Sequence, residues 1–313
     1  MSTPPRQQPF LVAVMGETAS GKTDLAEEIA AALGAQLINA DTFQSYRGMD
    51  IGTAKPENKA AYELVDIKDP EEQFGVGEWT RLAEEKLKAL YAENRSAVLV
   101  GGSGLNVRAL LESYTTMAGA PDPSLRAELN AQLEKEGLEA LVEILRQEDP
   151  EAAERVDLKN PVRVTRAIER ARGPKESISI DLPPYRKVRF AIRRPVEEIS
   201  ARIHERTWHM VRNGWPEEVD ALRQAGYGPN APGFRAHGYR ELWRVLENQL
   251  GLDEAVESIV SQVRHYAKRQ RTWLRTEPDL LVLESNGETS PTERAMAHLF
   301  AIGEGVEKNG QDH

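Results

Sequence analysis

Three features of this 313-residue sequence predict an α/β fold of the P-loop type, a parallel sheet flanked by helices and carrying a helical insertion. Residues 10–15 form a continuous apolar run, as expected of a strand covered on both faces. That run leads into Gly16-Glu17-Thr18-Ala19-Ser20-Gly21-Lys22-Thr23, a full G-x-x-x-x-G-K-[ST] loop, and a helical pattern begins at Asp24. Two more apolar runs, 36–40 and 97–100, alternate with helical stretches. Such alternation builds parallel strands joined by crossover helices.

Taken in order, the strand at 36–40 runs straight into Asp41, and the strand at 97–100 ends in Gly101-Gly102-Ser103-Gly104. Alternation continues to about Glu112. Ala118-Gly119-Ala120-Pro121-Asp122-Pro123 then marks a change of composition. Beyond it, Leu125, Leu129, Leu133, Leu138, Leu141 and Leu145 recur at helical spacing, with breaks at Pro150 and near Gly173-Pro174. A linker over 175–185 contains Pro183-Pro184. Residues 188–192 restore a strand, helices fill 195–276, Leu280-Leu281-Val282-Leu283 reads as a last strand, and the tail from Gly303 is expected to fray. The predicted organisation is a core over 1–117 and 187–313, with a helical insertion over 118–186.

The loop predicts phosphate binding, because its N–H groups point into a concavity at a helix N-terminus, Lys22 adds charge and the Thr23 hydroxyl suits Mg²⁺. Whether those phosphates belong to a nucleotide is left open by the loop alone. A phosphohydrolase or kinase of this type needs an acid at a later strand end to hold the metal, and the run at 97–100 ends without one. Since carboxyl ends of parallel strands line the ligand crevice, Asp41 and Ser103 should both face the bound phosphates. A carboxylate with a hydroxyl there suits proton removal from an acceptor. Singly, an acid after a strand is more often a cap or turn residue.

Their surroundings carry more. Asp41-Thr42-Phe43-Gln44-Ser45-Tyr46-Arg47-Gly48-Met49-Asp50-Ile51-Gly52-Thr53-Ala54-Lys55 closely resembles the signature of the tRNA dimethylallyltransferases. Gly101-Gly102-Ser103-Gly104-Leu105, Phe234-Arg235-Ala236-His237-Gly238-Tyr239-Arg240-Glu241 and Ala267-Lys268-Arg269-Gln270-Arg271-Thr272-Trp273-Leu274-Arg275 are similar to three further motifs of that family, in the same order. The resemblance implies transfer of a dimethylallyl group from its diphosphate to N6 of adenine 37 of tRNA. It implies that Gly16, Thr18, Ala19, Ser20, Gly21, Lys22 and Thr23 hold the diphosphate, with Mg²⁺ on Thr23. It also implies that Arg235 reaches the diphosphate, that Asp41 accepts the N6 proton and that Ser103 orients the amine. The tRNA anticodon stem-loop would meet Asp41, Thr42, Phe43, Gln44, Ser103, Arg126, Asn160, Pro161, Val162, Arg163, Val164, Arg235, Ala236, His237, Gly238, Tyr239, Arg240, Lys268, Arg269 and Gln270, and the insertion would embrace the stem. Glu17 stands where the family usually has proline, Ser103 where it has threonine and Asn106 where it has tyrosine. The linker around 177–181 is short.

Arg264, Lys268, Arg269, Arg271 and Arg275, with Tyr266 and Trp273 between them, form one candidate nucleic-acid surface; Arg186, Lys187, Arg189, Arg193 and Arg194 form another. The formal net charge of -10 argues mildly against RNA, but the acidic excess lies mainly over 128–154 and beyond 277. The absence of cysteine excludes disulfides and thiolate metal sites, and six scattered histidines form no cage motif. No run approaches the roughly 20 apolar residues that span a bilayer, and the polar N-terminus is no signal peptide, so a cytoplasmic location is expected; with neither a heptad seam nor an obvious apolar patch, so is a monomer without a stable protein partner. The alternatives are an adenylate isopentenyltransferase, a small-molecule kinase with the insertion as a lid, and a nucleotide-dependent scaffold.

Overall fold

The computed structural model describes residues 8–112, 122–173 and 180–309. Six strands form its sheet: β1 (Phe10–Gly16), β2 (Gln36–Asn39), β3 (Tyr62–Glu63), β4 (Ala97–Val100), β5 (Arg186–Arg193) and β6 (Leu280–Glu284). They lie in the order β3-β2-β4-β1-β5-β6, and every neighbouring pair is parallel. The chain leaves β1, passes over the position of β4 to form β2, returns to β4, and later crosses to β5 on the other side. Such a reversal beside β1 opens a crevice at the strands' carboxyl ends. The Ala40 N–H extends the β2–β4 ladder by donating to the Val100 carbonyl at 2.8 Å, which fixes the backbone leading into Asp41. The two-residue strand β3 has no periodicity for a sequence pattern to reveal.

Helices α1 (Lys22–Leu33), α2 (Val76–Ala92), α3 (Gly104–Leu111) and, after the insertion, α8 (Val196–Arg212), α9 (Trp215–Gln224), α10 (Tyr239–Leu246), α11 (Leu252–Leu274) and α12 (Pro291–Asn309) belong with the sheet. The tail expected to fray at Gly303 continues helically to Asn309. Val12, Val14, Val98, Val100, Phe190 and Ile192 of the strands pack with Leu25 and Ile29 of α1 and Leu299 of α12. Leu11, Ala13 and Met15, on the opposite face of β1, are equally buried. Covering on both faces explains why the strand is apolar without alternation.

Residues 1–112 with 181–313 form one compact unit and 113–180 a second. The expected linker residues 118–121 and 175–179 lie outside the described residues, and β5 begins at Arg186, within the span assigned to the insertion. In the second unit, α4 (Pro123–Glu136), α5 (Leu138–Glu148), α6 (Pro150–Arg155) and α7 (Pro161–Arg172) pack around Leu129, Leu141, Leu145, Val164 and Ile168. Asp122 and Asn160 cap α4 and α7 just before a proline at the first helical position. Buried Glu169 receives both Nε and Nη2 of Arg126 at 2.6 Å.

The second basic run is largely tied down, although Lys187 and Arg193 stay exposed. It is strand β5 and the turn after it. Arg189 is buried and donates to Glu112 and to the Pro278 carbonyl, while Lys187 donates to the Leu111 carbonyl. Arg186 lies over the Phe10 ring, Arg193 pairs with Glu284, and Arg194 donates to the Ser20 carbonyl.

Candidate active site

The residues 16–23 form a nest between β1 and α1. Ala19 and Gly21 adopt φ of 63° and 94°, turning backbone N–H groups toward one side. A Cβ at Gly16 would stand 2.6 Å from the Ser20 Oγ, so the loop closes only over a glycine there. The first N–H groups of α1 add donors without helical partners. Oxygens of the loop are held from α8 and the turn before it: Arg194 Nε donates to the Ser20 carbonyl at 2.6 Å, Arg202 Nε to the Ala19 carbonyl at 2.8 Å, and Arg206 Nη2 to the Thr18 hydroxyl. Thr18 differs from its expected role in one respect. Its own N–H is already donated to Gln270 Oε1 at 2.8 Å, and the Ser20 N–H goes to the Glu17 carbonyl at 3.2 Å, so neither is free for an anion.

Asp41 follows β2 and caps the 3-10 turn Thr42–Ser45, its Oδ1 accepting from the Phe43 N–H at 3.0 Å. Asn39 brackets it, accepting from the Asp41 N–H at 2.8 Å and donating to the Asp41 carbonyl at 2.9 Å. Asn106, the departure expected to alter a wall, is buried and donates to Ala40 O and Thr42 Oγ1 on either side of Asp41. A Cβ at Gly101 would come 2.5 Å from the Ala40 carbonyl carbon, so the loop after β4 packs directly against this backbone.

Lys22, Arg206 and Asp41 line one cavity of about 150 Å³, whose walls include Val100, Met210, Ile259 and Tyr266. A second cavity of about 390 Å³ shares Lys22, Thr23 and Arg206 and adds Asp24, Arg202 and His209. Burial, with Arg206 nearby, brings the Lys22 ammonium down from 10.5 to about 8, against the pull of Asp41. Burial pushes the Asp41 carboxyl up, and the Phe43 N–H, Lys22 and Arg206 oppose this. Arg206 falls to about 10 through burial and the charge of Arg202, still cationic at neutral pH. Among the described residues no cluster of three His, Cys, Asp or Glu could hold a metal by itself. The oxygen donors at the nest, the Thr23 hydroxyl with Asp24 nearby, fit a Mg²⁺ that completes its shell on phosphate oxygens.

The structure brings together only part of the predicted set. Phe43, Gln44, Ala236 and His237 line the first cavity with Asp41. Ser103 and Arg235 do not. Ser103 stands at the N-cap of α3. Arg235 ends the 3-10 turn Pro232–Arg235, whose buried residues are Gly233 and Phe234, and it is exposed; of the arginines that reach the loop, Arg206 is the one that lines the cavity with Asp41. Tyr239 is fully buried and donates its phenol to Glu218 at 2.7 Å, and Gly238 is buried beneath Trp215. Val164 lies in the helical core, whereas Val162 and Arg163 are exposed on the first turn of α7. Arg240 and Lys268 are exposed, as is Arg269, whose guanidinium lies 5.5 Å from the Tyr266 ring centre. Gln270 is buried, its amide spanning Thr18 N and Gly102 O.

Sequence reasoning missed Arg206 and Glu218. Arg202 and Arg206 share a helical face by their spacing of four, the one signal available. Glu218 accepts from the backbone N–H groups of Asp50 and Ile51 at 2.7 and 2.6 Å, holding the loop whose Gly52, Thr53 and Ala54 wall the cavity.

A P-loop α/β sheet with Lys22 and Arg206 at the loop after β1 and a carboxylate in the same cavity defines the class: a P-loop protein whose site suits group transfer from a phosphate. The comparisons with known proteins narrow it. A model of the family described as IPP transferase matches residues 44–277, and one described as isopentenyl transferase matches residues 9–67. The tRNA dimethylallyltransferase of Gloeobacter violaceus is 37% identical over 292 residues, covering 91% of this chain and 95% of that protein. The crystal structure of the full-length tRNA isopentenylpyrophosphate transferase from Bacillus halodurans superposes with a TM-score of 0.69 at 32% identity, covering 98% and 100% of the two chains. A eukaryotic dimethylallyltransferase solved acting on tRNA shares the fold at a TM-score of 0.75 and 19% identity, over 92% and 78%. This chain belongs to the IPP transferase family, and it is a prenyltransferase.

Proposed function

We propose that this protein transfers the dimethylallyl group of dimethylallyl diphosphate to N6 of adenine 37 in tRNA, releasing diphosphate. The observation that carries the reading is the one cavity lined by Lys22 and Arg206 of the phosphate site, by Asp41 and by the apolar Val100, Met210 and Ile259. The loop N–H groups, Lys22 and Arg206 take the leaving diphosphate, meeting charge that grows as the allylic carbon–oxygen bond breaks. Val100, Met210 and Ile259 suit the hydrocarbon chain. The N6 lone pair forms the new carbon–nitrogen bond, the carbon–oxygen electron pair leaves with diphosphate, and the N6 proton passes to Asp41, whose raised pKa suits a base. Ser103 orients the amine. Mg²⁺ bound by Thr23 and the diphosphate would neutralise leaving-group charge.

An adenine stacked in a duplex or loop cannot reach such a cavity, so the base is extruded. Phe43, Gln44, Ala236 and His237 receive it, and the exposed cations Arg235, Arg240, Lys268 and Arg269 meet the anticodon-loop backbone. Arg126, Asn160, Val162 and Arg163 of the helical unit are the candidates for the stem. No helix among the described residues is long and apolar enough to cross a membrane, and we place the enzyme in the cytoplasm with its tRNA.

Labelled dimethylallyl diphosphate and Mg²⁺, offered with unmodified tRNA or with AMP and followed by nucleoside mass analysis, test the proposal. Label on N6 of tRNA adenine is expected. Transfer to AMP alone would assign the chain to nucleotide prenylation, and ATP hydrolysis without transfer would reject prenyl transfer.

A further inference from the structure

Glu17 places a carboxylate inside a loop built to hold an anion. Its side chain is 4% exposed, and a cation 254 residues away covers it: Arg271 donates Nε to Oε1 at 2.8 Å and Nη2 to Oε2 at 2.5 Å. Gln270, the preceding residue of α11, takes the next position of the loop, accepting from the Thr18 N–H at 2.8 Å and donating to Gly102 O at 2.9 Å. Consecutive residues of one helix thus hold consecutive residues of the phosphate loop. The grip reaches the loop's working groups, because the Glu17 carbonyl accepts from the Ser20 N–H at 3.2 Å and from Lys22 Nζ at 3.4 Å.

We propose that Glu17 and Arg271 are positioning residues for diphosphate binding, their ion pair fixing the loop to α11 and cancelling a negative charge beside the leaving group. This rests on reading the loop as the diphosphate site. Proline at position 17 would restrict the backbone by its ring; glutamate leaves φ free, and here the restraint comes from the side chain. Two consequences set the pair apart from an ordinary surface bridge. Removing the cation leaves a buried carboxylate with neither water nor partner, close to the incoming diphosphate and repelling it. Removing both charges leaves a buried amide but no uncompensated charge, so the second substitution should partly repair the first.

The test is calorimetric titration of the full chain with inorganic diphosphate and Mg²⁺, alongside steady-state kinetics. Arg271→Met should weaken diphosphate binding about tenfold or more, and the pair Glu17→Gln with Arg271→Met should recover to within about threefold of the parent chain. Arg271→Lys, which keeps charge but loses the fork, should fall between. KM for dimethylallyl diphosphate should follow these affinities while kcat and KM for tRNA hold within about threefold. Parental diphosphate affinity in Arg271→Met, or a double variant as weak as the single, would overturn the proposal. So would a change in thermal stability without a change in affinity. A parent chain that binds no diphosphate would instead overturn the reading of the loop itself.

Discussion

Lys22 sits at a pKa of about 8 in the free protein because the site is buried and Arg206 adds a second positive charge. Its ammonium is therefore about nine-tenths protonated at pH 7 and about one-tenth at pH 9, by simple titration. If diphosphate binds to the charged form, kcat/KM for dimethylallyl diphosphate should fall about tenfold between those pH values, with a midpoint near 8. Bound diphosphate favours the ammonium, so the corresponding limb of kcat should lie at higher pH. Arg206 itself, at about 10, stays cationic across this window and does not mimic the effect. Arg206→Gln removes the second cause of the depression while leaving burial in place. Its kcat/KM should be lower throughout, and its alkaline limb should move upward without reaching 10.5. The assay is initial-rate prenylation at subsaturating diphosphate from pH 6.5 to 9.5 at constant ionic strength. A profile flat to pH 9.5, or a limb that stays in place or moves down in Arg206→Gln, would refute the coupling of these two cations.

Asp41→Asn keeps an acceptor for the Phe43 N–H, so the turn should persist; single-turnover transfer should still drop about 10²- to 10⁴-fold with tRNA affinity unchanged, and an unchanged rate would remove Asp41 as the base. Lys268 and Arg269 changed to Ala should weaken tRNA binding and flatten its salt dependence, about 0.7 in slope per lost single-strand phosphate contact, as filter binding at several salt concentrations would reveal. Gly52→Ala places a Cβ 2.1 Å from Trp215 Nε1 and 2.7 Å from the Tyr239 ring. It should cost about 1–3 kcal/mol in urea unfolding, and an unaltered midpoint would mean that the wall loop moves freely away from Trp215.

The parts of this site legible in the sequence are those whose chemistry and geometry are both local. A glycine loop after an apolar run already implies a nest, and an acid at a strand end already implies a crevice, because eight consecutive residues or one strand terminus define each. Arg206 is not local: it meets Thr18 across 188 residues, and in the sequence it is one cation among many on a helix. Basic runs mislead for a related reason, since residue type does not say which way a side chain faces. In β5, Arg186 lies over the Phe10 ring, Arg189 is buried against Glu112 and the Pro278 carbonyl, and Arg193 pairs with Glu284, so much of an apparent RNA surface is taken up in internal ties. Helix α11 splits the same way within one turn. Tyr266, Gln270 and Trp273 recur at three or four residues and face Gly102 and Gly104, while Lys268, Arg269 and Arg275 stay exposed. Spacing reveals that two faces exist; only the packing partner decides their phase. Here the partners are glycines at 102 and 104, where a Cβ would strike Gln270 Nε2 at 2.4 Å or the Trp273 ring at 2.2 Å. The glycines after β4 are therefore what seat α11 against the site, turning Gln270 and Arg271 toward the loop after β1 and leaving the neighbouring cations exposed.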